Sequence, residues 1–317
     1  MKICILDKRR SIVGWAESAT SAWRARGHTV LHLTTRNPRL HPALERALYS
    51  TALGALRARY LANAVRAFGP DLLVATHAFS MPLSLLDRLA RPGQPPIIGW
   101  VGDIFGEQQA RCRAQHFTAI GYTDSSWLER HKQLGLACPG FYLPHAAAQD
   151  TDGQSNIVRD PRLLFVAMPT PWRREVVKAV KQPINVYGPN WADGSIGPHA
   201  VSSRRLPLAE VTSLYRRHSA VLNIHNEQNV VSGLNQRSFD PYLCGAAVVS
   251  DAQSDLEKCF DPGTEVLVWQ DVDELNATYE RLLADPAIAA QVADRGRRRV
   301  LAQHTYEARL ERMKNEI

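Results

Sequence analysis

Apolar residues in the first 145 positions fall into short unbroken runs: KICILD (2–7), HTVLHLT (28–34), DLLVATH (71–77), PIIGWVGD (96–103), FTAIGYT (117–123) and GFYLPH (140–145). A strand with one wet face alternates apolar and polar positions, whereas unbroken runs predict strands covered on both faces. The segments between them read as helices, among them 15–27, stopped by Gly27, and an Ala/Leu/Arg-rich stretch over 42–68 that ends at Phe68-Gly69-Pro70. After a polar, turn-rich stretch over 147–161, read as a linker, the alternation resumes. RLLFVAM (162–168), PINVYGP (183–189), AVLNIHN (220–226), AAVVSD (246–251) and EVLVWQD (265–271) predict strands. Helices are expected at about 172–181, 207–218, 234–244, 253–260 and 272–284, with a long closing helix over 286–316 broken near Gly296. The pattern predicts an α/β chain of two Rossmann-like parallel-sheet domains, 1–149 and 150–317, facing across a cleft, with the closing helix from about 297 packing back on the first domain.

Composition narrows the class. The chain has 317 residues, 45% hydrophobic and 22% charged, which excludes intrinsic disorder and suits two domains. No apolar run approaches the length of a membrane span. Its five cysteines are scattered without metal-binding spacing, and the start lacks the charge order of a secretory signal. A soluble cytoplasmic protein is expected. Residues 1–149 carry 18 Lys and Arg against 9 Asp and Glu, while the remainder is slightly acidic, so an anionic partner is expected at the first domain: an acceptor, DNA, or the inner membrane surface as a peripheral site.

Several chemistries are excluded by their motifs. The loop after the first strand, KRRSIVGWAES, has a single glycine where a dinucleotide fingerprint needs three, and Walker A, GxSxG and HExxH are missing. The informative stretch is LNIHNEQNVVSGLNQRSFDPYLCGAAVVSD (222–251). It reads as strand, Asn/Gly-rich loop, a helix opening near Gly233, then strand. Such a helix end offers free N–H groups and a positive dipole to a diphosphate. Arg237 in its first turns can pair with phosphate oxygens, and Asp240, one turn on, can accept from two ribose hydroxyls. Together these describe a pocket for a nucleoside diphosphate.

At LLFVAMPTPWRREVVKAV (163–180), VYGPNW (186–191), GLNQRSFDPYLCGAAVVSD (233–251), CFDPGTEVLVW (259–269) and DVDELNATYERLLADP (271–286), the chain resembles the C-terminal domain of GT-B glycosyltransferases, and more narrowly the CgeB-type (spore-maturation-protein-like) branch. The first half matches in outline only. The resemblance implies a nucleotide sugar, UDP-, dTDP- or GDP-linked, in the second domain, an acceptor hydroxyl in the first, and no metal or other cofactor. It implies that Asp240 stands where a glutamate holds the donor ribose; the other acidic position of the wider E-x7-E pattern falls at Ser232.

The remaining candidates follow from position. Arg173, opening the helix after the second domain's first strand, is a diphosphate ligand. Tyr187 would flank the base, with Gly188 admitting close backbone approach. Asn226, Glu227, Asn235 and Gln236 would line the donor sugar. Asp103 and His77, each closing a strand of the first domain, are rival general bases for the acceptor hydroxyl. The Asp271-Val272-Asp273 triplet resembles a manganese motif but opens a helix, so it is read as a cap. Two other functions fit the same architecture: a nucleotide-sugar epimerase, and a non-catalytic nucleotide-sugar binder that docks through its basic domain.

Overall fold

The computed structural model describes residues 1–8, 14–35, 51–147, 157–191 and 196–317. They form two compact units: Met1–Pro144 with Tyr306–Ile317, and His145–Thr305. The predicted 147–161 linker and the first residues of the predicted 42–68 helix lie largely outside the described residues.

In the first unit the strands are β1 Lys2–Asp7, β2 Thr29–Thr34, β3 Leu72–Thr76, β4 Ile97–Val101, β5 Ala119–Tyr122 and β6 Gly140–Tyr142, all parallel in the order β2-β1-β3-β4-β5-β6. Every residue of LLVAT and IIGWV in β3 and β4 is buried, as unbroken apolar runs require. Helices α1 Trp15–Ala25, α2 Ala52–Phe68, α3 Leu83–Leu89, α4 Glu107–Ala114 and α5 Ser125–Gln133 connect them.

The second unit holds β7 Leu164–Val166, β8 Asn185–Tyr187, β9 Ala200–Ser202, β10 Ala220–Asn223, β11 Ala247–Asp251 and β12 Leu267–Trp269, again parallel, in the order β12-β11-β10-β7-β8-β9. Its helices are α6 Pro171–Ala179, α7 Leu208–Arg217, the single turn α8 Asp240–Leu243, α9 Val272–Ala284 and α10 Pro286–Gln303; α11, Tyr306–Lys314, belongs to the first unit. Start signals in the sequence act as caps. Thr170 Oγ1 accepts from the Arg173 N–H with Pro171 in the first turn, and Asp271 Oδ1 accepts from the Glu274 N–H at 2.9 Å, so the DVD triplet is a cap.

Three expectations are corrected. β9 was not expected; its AVS is three residues long and largely exposed, so it carries no apolar run to read. No continuous helix runs over 234–244. A 3-10 turn, Gln236–Ser238, precedes α8, because Asn235 Oδ1 takes the Arg237 N–H and closes the first turn tightly. The closing segment does not break at Gly296, which lies inside α10. A Cβ there would stand 2.2 Å from Cε1 of the buried Tyr242, so this glycine admits a ring. The break falls at His304-Thr305, where Ala147 N–H donates to His304 O at 2.9 Å and Ala147 pairs with Thr305. Beyond it, Arg309 Nε donates to Pro144 O at 2.7 Å, and the Tyr306 carbonyl takes the Trp23 Nε1–H at 2.9 Å.

Candidate active site

In the second unit the carboxyl ends of β7, β10 and β11 bring together residues far apart in sequence. β10 ends in Asn223, and the next carbonyl, Ile224 O, is shared by two guanidiniums. Arg173 donates to it from Nε (3.1 Å) and Nη2 (2.9 Å), and Arg237 from Nη2 (3.2 Å). Arg173 also reaches Met168 O at 3.0 Å, and Arg237 reaches Val166 O at 3.3 Å and Asn223 Oδ1 at 3.2 Å. Both guanidinium carbons lie 6.0 Å from the centroid of the Phe165 ring. All direct partners of the two cations are neutral oxygens: among the described residues neither is hydrogen-bonded or ion-paired to a carboxylate.

Electrostatics registers the crowding. Burial, and then the Arg237 charge, pull the Arg173 pKa down to about 9, against the weaker pull of Glu227 and Asp251. Arg237 is lowered too, by burial, with Tyr215 and Asp251 acting the other way. Two desolvated like charges side by side are expensive unless an anion joins them.

Asn223, fully buried, organises this end of the sheet. Its Nδ2 donates to Ser238 Oγ and Ser250 Oγ, each at 3.1 Å, and its Oδ1 accepts from Asn235 Nδ2 at 2.9 Å. Asn235 therefore spends both side-chain polar atoms inside the protein, one on Asn223 and one on the Arg237 N–H. Gln236 Nε2 bonds Ala146 O and Asp240 Oδ1; Asp240 is half-buried at the start of α8 and close enough to Tyr215 to raise the phenol's pKa after burial has done so. Glu227 is exposed and lies at the amino end of α6, accepting from Thr170 Oγ1 at 2.7 Å and from the Trp172 N–H at 3.4 Å. Asn226 opens the following turn, its Oδ1 accepting from the Gln228 N–H. Tyr187 is half-buried at the end of β8 and packs against a cluster that includes Tyr215 and Leu214. At Gly188 (φ +143°) the place a Cβ would take is 2.0 Å from Ala167 O, so the glycine lets the ends of β7 and β8 approach each other.

The first unit gathers its own polar set. His77, at the end of β3, takes a left-handed backbone (φ 56°) that is strained for a residue other than glycine, its N–H bound to Trp100 O at 2.9 Å. Its Nδ1 lies 2.9 Å from Asp103 Oδ2, and its ring meets Trp15 edge-on with centroids 5.4 Å apart. The two rival bases thus form one pair. Neither side chain caps the helix that follows it.

Not anticipated from sequence were Asn223, His225 and Asp251. The available signal was polar residues closing apolar strands, in AVLNIHN and AVVSD. Among the described residues no cluster of three or more His, Cys, Asp or Glu is arranged to hold a metal ion, and no helix is long and apolar enough to cross a membrane.

Comparison with solved structures places this architecture. HepE of Anabaena, solved with UDP and glucose, superposes with a TM-score of 0.67 at 12% identity, covering 99% of this chain and 98% of that one. Sucrose-phosphate synthase from Thermosynechococcus elongatus gives 0.66 at 13% (99% and 98%), and a glycosyltransferase from Rickettsia africae 0.68 at 7% (99% and 97%). This is the GT-B glycosyltransferase fold. Residues 171–315, which include Arg173 and Arg237, match the family described as Glycosyl transferase-like. No curated protein sequence is significantly similar to the chain.

Proposed function

We propose that the protein is a glycosyltransferase that moves a sugar from a nucleoside diphosphate to a hydroxyl acceptor, of the CgeB-type branch. The observation that carries this reading is the convergence of Arg173 and Arg237 on Ile224 O without a carboxylate partner. A diphosphate fits two forked cations held side by side, and the same pair stabilises the charge that grows on the leaving group as the glycosidic bond breaks. Because the cations are prearranged in a desolvated place, the step needs no reorganisation and, in this reading, no metal. Asp240, half-buried beside Arg237's turn, takes the ribose hydroxyls, and Tyr187 flanks the base. Asn226 and Glu227 border the sugar, with Asn235 and Gln236 holding the arginine and the ribose acceptor in place.

In the first unit the His77–Asp103 pair is assigned to the acceptor. With Nδ1 turned toward the Asp103 carboxylate, His77 keeps Nε2 to take the hydroxyl proton as the oxygen attacks the anomeric carbon, and Asp103 holds the ring and balances the charge it acquires. The fold neighbours support the donor class in their own right, since HepE was solved with UDP-glucose.

Isothermal titration with UDP, GDP and dTDP tests the reading. At least one should bind to the wild-type protein, and Arg237→Ala should weaken it about tenfold or more, as loss of a charge-assisted phosphate contact does. Failure of all three to bind would refute it, and wild-type affinity in Arg237→Ala would remove the arginine pair from the site.

A further inference from the structure

His225 follows the carbonyl that both guanidiniums share, and is 2% exposed. Asp251, at the end of β11, grips it twice: Oδ2 accepts from the His225 N–H at 3.0 Å, and Oδ1 lies 2.5 Å from Nδ1. The same carboxylate is within electrostatic reach of both Arg173 and Arg237, so the dyad borders the paired cations. Nε2 is buried and has no hydrogen-bond partner among the described residues. A native fold seldom leaves a polar atom in that state unless something outside the chain completes it.

The chemistry of that partner follows from Asp251. An ionised carboxylate only accepts, so Nδ1 carries the hydrogen, and in the tautomer this contact selects, Nε2 is a bare lone pair. A lone pair repels phosphate oxygens and takes a hydroxyl hydrogen. We propose that His225 is a specificity-determining residue for the donor sugar, its Nε2 accepting a hydrogen bond from one sugar hydroxyl beside the diphosphate held by Arg173 and Arg237. The inference rests on the glycosyltransferase reading and adds to it the residue that distinguishes a sugar nucleotide from the bare nucleotide. Asp251 is the positioning residue, fixing the tautomer and the ring.

Titration of wild type, His225→Ala and His225→Gln with UDP and UDP-glucose, and with the GDP/GDP-mannose and dTDP/dTDP-glucose pairs, reads this directly. His225→Ala should change the affinity for the nucleoside diphosphate by less than about twofold and weaken its sugar conjugate about five- to tenfold, the size of one neutral hydrogen bond. His225→Gln, which can offer a carbonyl oxygen, should recover part of the loss. On the wild type, one analogue in a deoxy-sugar series should lose the same factor, and on His225→Ala that analogue should lose nothing more. Equal weakening of nucleotide and sugar nucleotide, an unaltered sugar nucleotide, or a deoxy series that binds the wild type uniformly would overturn the proposal. If the wild type binds the nucleoside diphosphates while His225→Ala keeps wild-type affinity for their sugar conjugates, this inference alone falls. If the wild type binds none of them, the glycosyltransferase reading falls and takes it along.

Discussion

A buried guanidinium beside a second one costs stability that only an anion returns, and this charge ledger separates the roles of neighbouring residues. In the proposed reading Arg173 and Arg237 hold the diphosphate, whereas Asp240 addresses the sugar ring of the nucleoside. Asp240→Ala should therefore weaken a nucleoside diphosphate by about 1–3 kcal/mol in titration while leaving inorganic pyrophosphate at its wild-type affinity; equal loss for both would place Asp240 on the phosphates instead. In the first unit, Asp103→Asn keeps the size of the side chain but removes the charge 2.9 Å from His77 Nδ1. Donor affinity should stay as in the wild type, and transfer should slow by about 10²-fold or more, the range for a disabled general base; unchanged turnover would retire the pair. At this scale the sequence was legible where chemistry stands out in a loop, as in NQRSFD with Arg237 and Asp240. It was opaque where polar residues close apolar strands: Asn223, His225 and Asp251 read as strand ends, because what gives them meaning is a lateral neighbour on another strand.

Elements were legible to the degree that they bury apolar side chains. The runs in β1, β3, β4 and β11 are wholly or almost wholly buried and were plain from sequence, while the exposed AVS of β9 offered nothing to read. Breaks were harder. A glycine in a helical pattern suggests a stop, yet Gly296 continues α10 and makes room for Tyr242; the true stop, His304-Thr305, contains neither glycine nor proline and is set by pairing with Ala147 and by His304 Nε2 against Cys259 O at 2.9 Å. Gly296→Ala decides between these views. As a solvent-facing helix position it would gain about 1 kcal/mol from propensity. Against a fully buried Tyr242 ring it should instead lose about 1–3 kcal/mol to overpacking and lower the melting temperature by several degrees. A raised melting temperature would show that the ring yields.

Across the whole molecule, both units share a device with a pH signature. His131 in the first unit and His218 in the second are buried, His199 in the second is half-buried, and desolvation lowers the pKa of each. Each ring is placed against a backbone carbonyl: His131 Nε2 at 2.8 Å from Cys138 O, His199 Nε2 at 2.7 Å from Val177 O, His218 Nδ1 at 2.7 Å from Leu214 O. On His218 the other nitrogen lies 2.8 Å from Asn185 Nδ2, which can only donate, so this ring is neutral. A histidine whose folded pKa lies below its unfolded value near 6.5 binds protons preferentially when unfolded. Its contribution is complete above that value and is lost as the pH falls below it. Thermal midpoints should therefore decline from about pH 6.5 downward, and His218→Gln should flatten that decline; a profile level from pH 7.5 to 5 would contradict the assignment.

The central claim is that two arginines of the second unit, lacking a carboxylate of their own, receive a diphosphate. A crystal structure with the best-binding nucleoside diphosphate tests it most directly. Phosphate oxygens should lie within about 3 Å of guanidinium nitrogens of both Arg173 and Arg237, with the ribose against Asp240. A nucleotide bound elsewhere, or one that leaves the two arginines untouched on Ile224 O, would contradict it.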